Sequence, residues 1–173
     1  MLARLHEGWA LVEPFITTYG AIAVFFMVLA ESFGAPLPGE TGVIAASLLA
    51  AHGDLSIVGL FFAVLGGAII GDFIGFLVGH FGGRKLLRKF GPYIKLTPER
   101  LDAFEDRLRK QGLWMVAVAR FVPILRQLNG LLAGSFGMRW YHFLLAQSAG
   151  ALVWTSVYVF GPYFFSELFQ LAR

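Results

Sequence analysis

Between two apolar runs, Ala21–Ala30 and Thr41–Ala51, the chain carries Glu31-Ser-Phe-Gly-Ala-Pro36-Leu-Pro38-Gly39-Glu40. Two carboxylates and two prolines thus interrupt sequence that otherwise suits a lipid interior. A helix rises about 1.5 Å per residue, so Ala21–Glu31 and Thr41–Ala51 each reach only about 16 Å. A full span needs about 20 residues. Neither arm crosses a bilayer alone, and the expected solution is a re-entrant helical hairpin with Glu31–Glu40 at its tip. Irregular backbone at membrane depth is tolerated where it is buried in protein or lines a wet cavity.

The rest of the chain supports a membrane setting. Of its 173 residues 57% are hydrophobic and 14% charged, against about 25% charged in soluble domains. Leu55–Phe81 is long enough to span, and its glycines at 67, 71, 75 and 79 give one smooth helical face for close packing. Asp72 lies inside that span. Nine of the 14 Lys and Arg fall in Arg84–Lys110, which the positive-inside rule places in the cytoplasm. A nucleic-acid site is the rival explanation of such a run, but Glu99, Asp102, Glu105 and Asp106 are interspersed. Within this segment Gly91-Pro92 is a break, and Thr97 with Pro98 marks the start of a polar helix.

Residues 113–138 repeat the hairpin pattern, with short apolar arms around Arg120-Phe-Val-Pro123-Ile-Leu-Arg126. Arg139-Trp140-Tyr141 marks a return to the interface, and Leu144–Phe164 is a second full span. Residues 1–19 lack the apolar core of a signal peptide and are expected to form an interfacial amphipathic helix ending near Pro14.

The expected fold is therefore an all-α integral membrane domain over residues 1–173. It comprises an interfacial helix (1–19), a re-entrant hairpin (20–53), a transmembrane helix (55–81), a basic cytoplasmic segment (82–112), a second re-entrant hairpin (113–139) and a second transmembrane helix (141–165). With the basic segment inside, the hairpins enter from opposite sides. That is an inverted repeat, in which sites form at the midplane from discontinuous helices.

Glu31, Glu40, Asp72, Arg120 and Arg126 are ionisable groups in apolar surroundings, where charges usually pair or line a pathway. They segregate, with acids at one tip and guanidiniums at the other. Arginine grips phosphate oxygens through a planar fork and stays charged when buried. A carboxylate removed from water holds its proton more readily. Together they point to an anionic substrate on Arg and a proton on Glu, the alternative being ion pairs that only hold the hairpins together. Asp72 suits either helix packing or a proton relay. Gln127, Asn129 and Gln147 suit either a cavity lining or bridges between helices. His6, His52, His80 and His142 show no metal-ligand spacing, and the absence of Cys excludes disulfides and Cys-ligated metals. No metal or other cofactor is expected.

Glu31 with Pro36-x-Pro38-Gly39-Glu40, the Gly71-Asp72 pair, Arg120-Phe-x-Pro123-x-x-Arg126 and Ala133-Gly134 with Met138 and Phe143 together resemble the DedA family of membrane proteins. The resemblance covers about residues 20–160. It implies a multi-pass protein of the bacterial inner (plasma) membrane with two opposed hairpins. It also implies translocation of undecaprenyl phosphate or another phospholipid, linked to the proton motive force and supporting envelope integrity. The family's functional acids fall on Glu31 and Glu40 and its arginines on Arg120 and Arg126, with Pro36, Pro38, Gly39 and Pro123 shaping the tips. Many members carry Asp where Glu40 stands, which keeps the carboxylate, and continue into a further C-terminal helix.

The expected function is lipid-phosphate transport without catalysis. Its partners are an anionic lipid head group and protons, not nucleic acid, and a homo-oligomer is compatible with it. The rivals are a small-oxyanion transporter, a membrane-bound lipid-phosphate enzyme, which would want a nucleophile or catalytic His near the arginines, and a scaffold for envelope assembly.

Overall fold

Long apolar runs broken by glycine and proline dictate helices and short connections, and a computed structural model shows them. It describes residues 20–35, 37–90, 98–121 and 123–171. The described residues form six helices and no strand: α1 (Ala21–Ser32), α2 (Gly39–Ala51), α3 (Ile57–Phe90), α4 (Pro98–Ala119), α5 (Pro123–Ser135) and α6 (Trp140–Leu171). The expected interfacial helix over 1–19, the Gly91-Pro92 break, the Thr97 cap and Pro36 lie outside the described residues.

Glycine sets the internal breaks. Gly83 at φ 56° divides α3, and Gly112 at φ 44° divides α4. These positive φ values cost an ordinary residue a left-handed backbone. They separate apolar helix from the charged segment on either side. What remains are two stretches of 27 residues, Ile57–Gly83 and Trp140–Ser166, whose most apolar 18-residue windows have mean hydropathy 2.3 and 1.5. At 1.5 Å per residue each reaches about 40 Å, enough to cross a hydrocarbon core of about 30 Å. Ile22, Phe26, Phe62, Leu145, Val153 and Phe164 point outward and exposed, as side chains facing lipid do.

Two short helices pack against each long one. α3 lies against α1 and α5, while α6 lies against α2 and α4. Glycine makes the α3 contacts close. A Cβ at Gly67 or Gly71 would collide with the α1 backbone at Phe25 or Leu29, and one at Gly79 with the Leu131 carbonyl of α5. α5 answers with Gly130 and Gly134, set against the backbone of Asp72 and Phe76. The stripe expected as one packing face is thus shared between two neighbours, the first pair of glycines serving α1 and the second α5.

The apolar interior has two centres. One gathers Val24, Val28, Val43, Ala46, Leu60 and Val64 with Trp154 and Val159; the other gathers Phe76, Val116, Leu132 and Ala133 with Phe143 and Ala146. The first half of α3 therefore meets the second half of α6, and the two long helices run antiparallel. Between the two centres lies a polar layer.

Candidate functional site

That layer is built by helix ends. α1 finishes with Glu31-Ser32, and α2 begins with Gly39-Glu40. Arg120 directly follows α4, and Arg126 stands in the first turn of α5, which Pro123 opens. Proline suits that first position because its missing N–H would have no helical partner there. Asp72 projects from the middle of α3, Gln147 and Trp154 from α6.

The two tips meet. Arg126 donates through Nη1 to Glu40 Oε1 at 2.7 Å and through Nη2 to Glu31 Oε1 at 2.8 Å. One planar fork thus holds two carboxylates. Glu31 and Arg126 are buried, whereas the Glu40 side chain keeps 36% of its surface exposed. Gly39 makes room for the arrangement: a Cβ there would fall on the Glu31 carboxylate. The side chain at 39 must be hydrogen for Glu31 to reach Arg126.

A second, sealed pair lies beside the first. Arg120 Nη1 donates to Asp72 Oδ2 at 2.5 Å, with both side chains 1% exposed. Gln147 Nε2 also donates to Asp72 Oδ2. Asn129 Nδ2 donates to Gln147 Oε1 at 3.2 Å and to the Val116 carbonyl at 2.9 Å. This network ties α3, α4, α5 and α6 together, so Asn129 and Gln147 bridge helices.

The five expected ionisable residues therefore come together, in crosswise pairs that join the first hairpin and α3 to the second hairpin. Three carboxylates face two guanidiniums, leaving one carboxylate in excess. The histidines stand apart. His52 Nδ1 pairs with the Leu48 carbonyl, His80 stacks on Phe76, and His142 lies against Tyr141; His6 lies outside the described residues. Among the described residues no cluster of His, Asp and Glu could hold a metal ion.

Sequence inspection misses Trp154. Its ring lies 5.0 Å from the Arg126 guanidinium carbon and 5.4 Å from that of Arg120, within cation–π range of both. The one available signal is its spacing of seven from Gln147, two helical turns along the same face.

Comparison with known proteins places the chain. The model of the VTT domain matches residues 37–164. An uncharacterized membrane protein of Synechocystis is 37% identical, over 90% of this chain and 71% of its own length. The protein named undecaprenyl phosphate transporter A of Staphylococcus aureus is 30% identical, over 83% of this chain and 73% of its own. One named alkaline phosphatase-like protein, from Lactococcus lactis, is 28% identical over 82% and 68% respectively. No solved structure matches.

Proposed function

Because this chain belongs to the VTT-domain (DedA) family of membrane proteins, we propose that it carries a lipid phosphate across the bacterial inner membrane, coupled to the proton motive force. The observation that carries this reading is the Arg126 fork, held by Glu31 and Glu40 where the two hairpins meet. The name of the Staphylococcus relative supports the substrate class, undecaprenyl phosphate or another phospholipid.

The chemistry follows from one shared arginine. A fork that spans two carboxylates is also fit to span two phosphate oxygens. Phosphate and carboxylates compete for it. A protonated carboxyl gives up its claim on the guanidinium and gains an O–H with which to donate to a phosphate oxygen. Proton uptake and phosphate binding therefore favour each other, and linkage makes the effect reciprocal. Glu40, the partly exposed acid, is the entry point for the proton. The Asp72–Arg120 pair holds the second tip in place.

The packing supports an inverted repeat of re-entrant hairpins. The first hairpin packs with one end of the antiparallel α3–α6 pair and the second with the other. In this arrangement the charged layer sits near the midplane and each hairpin closes one side of it. Cysteine introduced at the exposed positions His52 and Lys110 of this Cys-free chain should label from opposite sides of the membrane. Labelling of both from one side would remove the two-sided arrangement.

Catalysis finds less support. A phosphatase needs a nucleophile with a base beside it, and His52, His80 and His142 all stand outside the charged layer. A small oxyanion in place of the lipid would leave the fork in the same role, and competition between inorganic phosphate and a prenyl phosphate separates the two. The direct test of the fork is Arg126→Lys, which keeps the charge but loses the bidentate geometry. Binding of a prenyl phosphate to the purified variant should weaken by about tenfold or more, as loss of one charge-assisted hydrogen bond implies. Unchanged affinity would argue that Arg126 does not hold the phosphate.

A further inference from the structure

We propose that Trp154 is a positioning residue for transport: its indole face holds the Arg126 guanidinium in place while the carboxylates release it to phosphate. This rests on the function proposed above. Trp154 is 2% exposed, and Tyr158, one turn along α6, stacks on it at 4.5 Å and 23°. The ring is thus fixed in tilt within a packed interior. Arg126 is held by Glu31, Glu40 and this ring, while the nearby charges Arg120 and Asp72 pair with each other. The two carboxylates lose their hold whenever they take up protons. The ring contact does not depend on protonation, because indole carries no titrating group in this range.

Without the ring, an arginine released by its acids would regain its rotamer freedom, and phosphate binding would have to suppress that freedom again. With it, the planar fork stays desolvated and held beside Glu31 and Glu40. The same ring also accepts Arg120, whose Nε has no hydrogen-bond partner among the described residues. Two like charges thus lie within 5.4 Å of one ring, whose electron-rich π system tolerates them. A lysine ammonium has no plane to stack, which gives a reason for guanidinium at both positions. A tryptophan that merely filled the core would need bulk alone.

Fluorinated tryptophan separates these roles, since fluorine drains the ring's negative face with little change in shape. Mono-, di- and trifluorotryptophan are introduced at position 154 of the full chain by stop-codon suppression. Farnesyl phosphate binding is then measured calorimetrically in detergent micelles, alongside the melting temperature. Affinity should fall stepwise along the series, by about tenfold at the trifluoro member, while the melting temperature holds. Trp154→Phe should lie between the unmodified and trifluoro proteins. Binding indifferent to fluorination overturns the role of Trp154 and leaves the transport function standing. So does affinity that falls only in step with melting temperature. If the unmodified protein binds no farnesyl phosphate, the proposed function fails, and the role of Trp154 fails with it.

Discussion

Asp72→Ala is expected to leave little folded protein. Asp72 and Arg120 form an ion pair with both side chains 1% exposed, and removing one partner leaves the other charged and uncompensated in a low-dielectric interior. Breaking such a pair costs roughly 3–5 kcal/mol, a large share of the roughly 5–15 kcal/mol by which folded domains are stable. The Gln147 amide loses its acceptor as well, so the bridge among four helices weakens together with the charge pair. The measurement is the yield of monodisperse protein and its melting temperature in detergent. Replacing both charges, as Asp72→Leu with Arg120→Leu, should recover part of the loss, because no uncompensated charge is left buried, although Gln147 still lacks its acceptor. The double variant keeps the Arg126 fork and should still bind a prenyl phosphate. An Asp72→Ala protein that folds normally yet loses its response to a proton gradient would move Asp72 from the scaffold to the proton path.

This pairing also shows where the sequence stops informing. The ionisable residues stand out because each interrupts an apolar run, and the helices follow from the same runs and from their glycine and proline ends. Their partners do not stand out. Arg126 reaches acids 86 and 95 positions away, and Arg120 reaches one 48 positions away. Only the packing of α5 on α3 and the meeting of the hairpin tips decide who pairs with whom. Segregation of acids and arginines between the tips is visible in the chain, but it reads equally as a divided site or as a closed one. The glycines of α3 announce close packing without naming the two helices that use it. Gly39 reads as turn chemistry, whereas its position demands hydrogen because the Glu31 carboxylate occupies the space beside it. Trp154 is the hardest to see, since an aromatic ring inside an apolar span carries no mark of the guanidiniums that surround it.

Glu31→Gln and Glu40→Gln are expected to abolish gradient response while sparing the fold. Glutamine preserves shape and can still accept a hydrogen bond from Arg126, but it can neither bind nor release a proton. Either substitution removes one of the two carboxylates that compete with phosphate for the fork. Farnesyl phosphate should therefore bind at least as tightly as to the unmodified protein, with less dependence on pH. One charge moved through about 100 mV corresponds to about 2.3 kcal/mol, a bias of roughly fifty-fold. That bias should be present in the unmodified protein and absent from both variants. The measurement is translocation of a labelled polyprenyl phosphate in proteoliposomes with and without an imposed proton gradient of about that size. Proton coupling at the Arg126 fork predicts gradient-accelerated translocation by the unmodified protein and slow, gradient-independent translocation by Glu40→Gln. Full gradient dependence in both glutamine variants, or no translocation by the unmodified protein under any gradient, would contradict it.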